Sequence, residues 1–174
     1  MARTQTFVVF AYGSNMLTTR LQERCSSARA LGTAELRGYA LRWHKRSRTD
    51  GSGKCDVVES AAAGAVVFGV LYEIALHEKR ALDVAEGLGH GYEAKSVGVV
   101  FEGTKRAPLL YYATDIEPSL RPYAWYKAFV VAGAREHGLP AKYIDRLEAT
   151  EATEDPDRER DARNRKILTA AVQT

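Results

Sequence analysis

Two short stretches carry residue types and spacing that could do chemistry. The first is Phe10-Ala11-Tyr12-Gly13-Ser14-Asn15. A run of apolar β-formers ends at a glycine, and Ser14 and Asn15 are good helix-capping types. A glycine turn between a buried strand and a helix start leaves backbone N–H groups free, and the helix dipole adds partial positive charge. Such a loop can hold a carboxylate or a developing oxyanion without a lysine. A well-capped strand–helix turn would share the same pattern. The second stretch is Leu82-Asp83-Val84-Ala85-Glu86-Gly87. Glu86 ends a short helix among Leu82, Val84 and Leu88. The negative helix end and an apolar pocket would both disfavour its ionisation and bring it toward useful base strength. A surface glutamate beside a helix cap fits the same residues.

Other chemical patterns fail on their spacing. Gly51-Ser52-Gly53-Lys54 looks like a phosphate loop, but Arg48 and Cys55 stand where that motif needs Gly and Ser or Thr. Gly87-Leu88-Gly89-His90-Gly91 follows a helix, whereas a dinucleotide loop must follow a strand. The Gly-x-Ser-x-Gly elbow is missing from the sequence. His44, His77, His90 and His137 are not paired at helical spacing, and Cys25 and Cys55 lack a CxxC partner. No metal and no cofactor is therefore implied.

The elements that must position the two stretches follow from hydrophobic patterning. Residues 7–12 form a continuous apolar run, which predicts a strand buried on both faces. Leu17 and Leu21 lie four apart, with Arg20 and Arg24 on another face, so residues 15–24 read as a helix. Residues 36–43 and 65–74 read as strands, with a turn-rich loop over 46–54. A short helix over 76–85 ends at Gly87, a left-handed cap. Residues 92–101 and 107–114 read as a strand pair with a turn over 102–105. Residues 122–137 form the longest expected helix, with Pro122 in its first turn and Gly138 and Pro140 as its stop. Residues 141–149 form a shorter one. The order is not a regular βαβ alternation. It points to an α+β fold with a mostly antiparallel or mixed sheet able to curl into a small barrel. Residues 1–150 read as one domain, and 151–174 as a charge-mixed C-terminal helix or tail.

Composition bounds the rest. The 174 residues are 45% hydrophobic and 27% charged, ordinary for a globular chain able to bury a core without staples. No apolar run reaches the roughly 20 residues of a membrane helix, and no signal peptide precedes the first strand, so the expected location is cytoplasmic and no membrane is involved. Net charge is only +3. The basic stretch over 37–48 reads as a solvated strand end or loop, and no nucleic-acid partner is expected. Monomer and homodimer both remain open.

The sequence resembles the γ-glutamylcyclotransferase family. The resemblance is carried by Phe10-Ala11-Tyr12-Gly13-Ser14-Asn15-Met16-Leu17, then Asp50-Gly51-Ser52-Gly53-Lys54-Cys55, then Gly69-Val70-Leu71-Tyr72-Glu73-Ile74. Leu82-Asp83 with Glu86-Gly87 follows, and last Tyr126-Lys127 with Gly133-Ala134-Arg135-Glu136-His137-Gly138-Leu139-Pro140. An ordered set of this kind is more specific than any one block. It implies a small mixed β-barrel flanked by helices. It implies that Val9, Phe10, Ala11, Tyr12, Gly13, Ser14 and Asn15 cradle the γ-glutamyl part of a small-molecule substrate. Glu86 falls on the family's catalytic acid/base, and Tyr126 on a tyrosine lining the site. Tyr92 matches a further tyrosine, across a spacer (87–91) that differs from better-known members. The implied reaction is attack by the substrate's α-amine on its own γ-carbonyl, releasing 5-oxoproline and a free amine. A substrate that brings its own nucleophile needs neither serine, cysteine nor metal, only folding of its chain, an oxyanion site and one proton carrier. A non-catalytic binding or regulatory protein with the same pocket is the alternative, and a carboxylate at Glu86 speaks against it.

Overall fold

The computed structural model describes residues 5–172, with side chains as far as residue 169. Nine strands and five helices follow in chain order: β1 (Thr6–Ala11), α1 (Thr18–Gln22), β2 (Arg29–Arg37), β3 (Tyr39–Arg46), β4 (Gly53–Glu59), β5 (Val66–Ala75), α2 (Lys79–Glu86), β6 (Tyr92–Ser96), β7 (Val99–Phe101), β8 (Thr104–Arg106), β9 (Leu109–Ala113), α3 (Ala124–Glu136), α4 (Ala141–Glu148) and α5 (Arg158–Val172). Seven strands form one sheet in the order β6-β9-β1-β5-β2-β7-β8, and β3 pairs with β4 alongside it. Among the strands described, only β1 and β9 pair in parallel. The sheet curls as a half-barrel whose edges are β6 and β8.

The apolar run of β1 lies between β5 and β9, so both edges of the strand are paired, and the consecutive burial of Val9, Phe10 and Ala11 shows that both faces are covered at its C-terminal half. Phe10, Val70, Leu71, Tyr72 and Ile74 are almost fully buried there. Helix α3 buries Trp125, Phe129, Val130 and Ala134 and packs against residues 14–16. Its Gly133 allows the closest approach. A Cβ at that position would stand 2.4 Å from the Leu17 nitrogen, a clash that only glycine avoids. The helix thereby rests directly on the segment that follows Gly13.

Several expected elements change. The helix expected over 15–24 is a 3-10 turn (Ser14–Met16) followed by the five-residue α1. The strand expected over 36–43 is two strands that meet at Gly38, φ 77°. The expected 92–101 strand divides, because β6 pairs with β9 while β7 turns back on β8. The turn expected over 102–105 narrows to Glu102-Gly103, which closes the small β7–β8 hairpin, while Thr104 and Lys105 belong to β8. Pro122 lies before α3, whose N-cap is Tyr123. The longest helix is α5, with 15 residues against 13 in α3. Strands β2 and β4 were not anticipated. The cap at Gly87 forms as expected, with φ 73°.

Candidate active site

The chain leaves β1 at Ala11 and turns at Gly13, φ −114° and ψ −139°. The turn is closed by Met16 N–H donating to Gly13 C=O at 3.0 Å and Leu17 N–H to Ser14 C=O at 3.3 Å. Among the described residues, the N–H groups of Gly13, Ser14 and Asn15 meet no protein acceptor. Three consecutive free donors remain, as the glycine turn implied. The dipole of a following helix contributes little, since only a single 3-10 turn begins here. Neither Ser14 nor Asn15 caps with its side chain.

The Asn15 side chain is engaged elsewhere. Its amide donates to Glu86 Oε1 at 2.6 Å. Arg24 Nη1 completes a triangle, donating to Asn15 Oδ1 at 2.9 Å and to Glu86 Oε1 at 2.8 Å. Glu86 thus ends α2 as half of a nearly buried ion pair, its side chain 14% exposed. An apolar surrounding was expected, and this face of Glu86 is polar instead. One oxygen is pinned by two donors. Its Oε2 has no partner among the described residues.

Four tyrosines build the floor. Tyr92 donates its hydroxyl to Cys55 C=O at 2.6 Å, and Tyr126 Oη accepts from Cys55 N–H at 3.0 Å. One residue of β4 therefore fixes both rings. Tyr12 donates to Tyr111 C=O at 2.5 Å, and Tyr111 donates to Asp83 at 2.6 Å. Burial pushes Tyr12, Tyr92 and Tyr126 well above the ordinary tyrosine range, helped by nearby negative groups. They act as neutral hydroxyls at physiological pH.

All of these groups line one cavity of about 500 Å³. Val9, Phe10, Ala11, Tyr12, Gly13, Ser14, Asn15, Glu86, Tyr92 and Tyr126 all border it. So do residues that the sequence did not single out for the site, namely Arg24, Lys45, Lys54, Cys55, Tyr111 and Arg160. Arg24 was visible only as one face of a short helix, and Lys54 only inside a failed phosphate motif. Lys54 donates to Asp50 Oδ2 at 2.9 Å and Ser52 Oγ at 2.8 Å, with its ammonium 4.5 Å from the ring centres of Trp125 and Tyr126. Burial brings its pKa down to about 8. Arg160 reaches the cavity from α5 because Asp155, buried, accepts from its Nε at 2.7 Å and from Trp125 Nε1 at 2.8 Å. Those bonds, led by the Arg160 guanidinium, hold the Asp155 carboxyl at about 2.

Known proteins share this arrangement of chain. The model of the AIG2-like family matches residues 66–147, which include Glu86 and Tyr126. Gamma-glutamylcyclotransferase of Homo sapiens is 32% identical over 152 residues, covering 84% of this chain and 80% of its own. The chain belongs to the γ-glutamylcyclotransferase family. The Bos taurus gamma-glutamylcyclotransferase aligns with the same identity and coverage. A solved gamma-glutamyl cyclotransferase superposes with a TM-score of 0.82 at 30% identity, over 93% of this chain and 99% of that one. The curled, mostly antiparallel sheet flanked by helices is thus the γ-glutamylcyclotransferase fold, as the ordered motifs implied. The AIG2-like match begins after the Gly13 loop, so that match does not include the loop.

Proposed function

We propose that the cavity binds a γ-glutamyl amide and catalyses its cyclisation, with Glu86 as the proton carrier. The substrate's α-amine forms a bond to its own γ-carbonyl carbon. The bond from that carbon to the leaving amine breaks, giving 5-oxoproline and a free amine. Glu86 takes a proton from the α-ammonium and delivers it to the departing nitrogen, so the carboxylate is regenerated in each cycle. The N–H groups of Gly13, Ser14 and Asn15 meet the oxyanion that forms between these steps. Val9, Phe10, Ala11 and Tyr12 continue that wall, and Tyr92 and Tyr126 shape the space in which the glutamyl chain folds. Holding amine and carbonyl together supplies much of the rate in an intramolecular reaction.

The observation that carries this reading is the Asn15–Glu86 hydrogen bond at 2.6 Å. It joins the free-donor loop to the carboxylate across 71 residues of sequence. A group that accepts a proton and a group of donors that accept negative charge therefore share one cavity of a size that suits a small molecule. We also infer a cytoplasmic protein, in keeping with two free, buried thiols at Cys25 and Cys55. The test is a panel of γ-glutamyl amides incubated with the purified protein, with 5-oxoproline measured by chromatography. Release from at least one amide is expected; none from any would overturn the reaction.

A further inference from the structure

Lys45 is the buried cation of the cavity that the reaction above leaves without a task. It lies on β3 at a register shift, where the pairing of β3 with β4 jumps between Arg42 and Lys45. The residue is 7% exposed and lines the same cavity as Gly13 and Glu86. Its ammonium stands 4.6 Å from the centre of the Tyr92 ring. Gly91 leaves it room, since a Cβ there would come within 3.2 Å of Lys45 Cε.

Its neighbours show how unusual this is. Arg24 has Glu86, Lys54 has Asp50, and Arg160 has Asp155. Among the described residues, no carboxylate oxygen lies within 4.0 Å of the Lys45 ammonium, and it donates no hydrogen bond. A buried charge is normally paired, because removal from water costs more than a ring face returns. Burial duly lowers the proton affinity of Lys45, and Glu86 and Asp115 act against that. Arg48, on the same wall, also lacks an acid partner and only meets His90 Nδ1 at 3.5 Å. This wall is cationic and uncompensated until something anionic enters.

We propose that Lys45 is a specificity-determining residue whose ammonium takes a carboxylate of the substrate. This rests on the cavity being a γ-glutamyl site. Two carboxylates could reach it, the α-carboxylate of the glutamyl group and one carried by the leaving amine. Both are the same chemistry, and matched substrates separate them.

The experiment compares wild type, K45M and K45R on γ-glutamyl-alanine and on γ-glutamyl-alaninamide. K45M should raise KM for γ-glutamyl-alanine by about 10–100-fold with kcat little changed, the effect of one charged hydrogen bond. K45R should recover part of it. Loss confined to γ-glutamyl-alanine assigns the contact to the leaving amine, and equal loss on both assigns it to the glutamyl group. Unchanged KM on both substrates overturns the proposal. Because K45M removes an unpaired buried charge, it should melt no lower than wild type. A marked fall in Tm would make Lys45 structural and overturn the proposal as well. Calorimetric titration of both compounds into E86Q and E86Q/K45M separates this from failure of the reaction itself. If wild type releases no 5-oxoproline, the reaction reading falls. Weaker binding of γ-glutamyl-alanine to the double variant still supports Lys45, while equal or undetectable binding overturns it.

Discussion

Lys45 and Lys54 are cross-strand partners on β3 and β4, and both line the same cavity. Their surroundings are opposite. Lys54 is held by Asp50 and Ser52 and lies against Trp125 and Tyr126. Beyond it, Trp125 and Arg160 converge on Asp155. That end of the cavity satisfies itself. At the other end, among the described residues, Lys45 has no counter-ion, Glu86 keeps one oxygen free, and three loop N–H groups lack acceptors. Buried polar groups that are satisfied hold a fold together, whereas those left open cost stability and remain available to a ligand. The cavity thus has an end whose polar groups are satisfied and stabilise the fold and, under the proposed function, an end that reacts.

The division breaks most visibly at Glu86. Glu86→Gln keeps the contacts with Asn15 and Arg24 and removes the proposed proton carrier. We expect kcat for 5-oxoproline release to fall by about 10²–10⁴-fold, with Tm within a few degrees of wild type. A large loss of Tm with little loss of kcat would assign Glu86 to the stabilising end.

Asp155→Asn should do the reverse. It leaves the Arg160 guanidinium, 21% exposed, with an uncharged partner. Tm should fall by several degrees, read by thermal unfolding. The pH dependence has a definite sign. The carboxyl of Asp155 is depressed from its ordinary 3.8 to about 2. Its contribution is therefore complete above about pH 4 and fades as pH falls toward 2. The Asn variant should lose that acid-sensitive part.

Tyr126→Phe tests the boundary between the two ends. Its hydroxyl accepts the Cys55 N–H, and its ring lies beside Lys54. Loss of the hydroxyl leaves a buried N–H unpaired, costing about 1–3 kcal/mol. Substrate KM should rise as well, since Cys55 also fixes Tyr92. A change in neither Tm nor KM would remove Tyr126 from both roles.

The smallest effect is expected at Lys54. Its folded pKa of about 8 lies below the ordinary 10.5. Between those values the unfolded chain binds the extra proton, so the contribution of this group to stability rises with pH. The stability difference between wild type and Lys54→Met should shift in favour of wild type from pH 8 to 10. A flat difference would show that the Asp50 pair fully offsets burial.

Much of this was legible in the residues, because local patterns dictated it. The apolar run 7–12 became the covered strand β1, and Gly87 became the left-handed cap that ends α2 at Glu86. Strand β2 escaped notice because Arg29–Arg37 mixes Arg, Gly, Thr and Glu with apolar residues and is mostly half-exposed. Strand β4 begins inside a glycine-rich stretch that reads as loop. Its Cys55 backbone is nevertheless what fixes Tyr92 and Tyr126. The stretch over 37–48 reads as a solvated basic run. Arg37 does pair at the surface with Glu35, yet Lys45 turns inward. A β-strand places alternate residues on opposite faces, and the bulge after Arg42 shifts that alternation.

By itself the sequence determined the chemical vocabulary of the site. It contains a glycine loop after an apolar run, a carboxylate at the end of the short helix before Gly87, and an ordered set of motifs that names the family. These depend on neighbours within a few residues, where backbone geometry and capping act. Only the tertiary structure decided which charges meet. It brought Arg24 and Asn15 to Glu86, drew Arg160 to the cavity through Asp155, and left Lys45 buried with no ion-pair partner among the described residues. Pairing and desolvation act through space between residues far apart in the chain, and those distances exist only after the sheet has curled and α3 has closed over it.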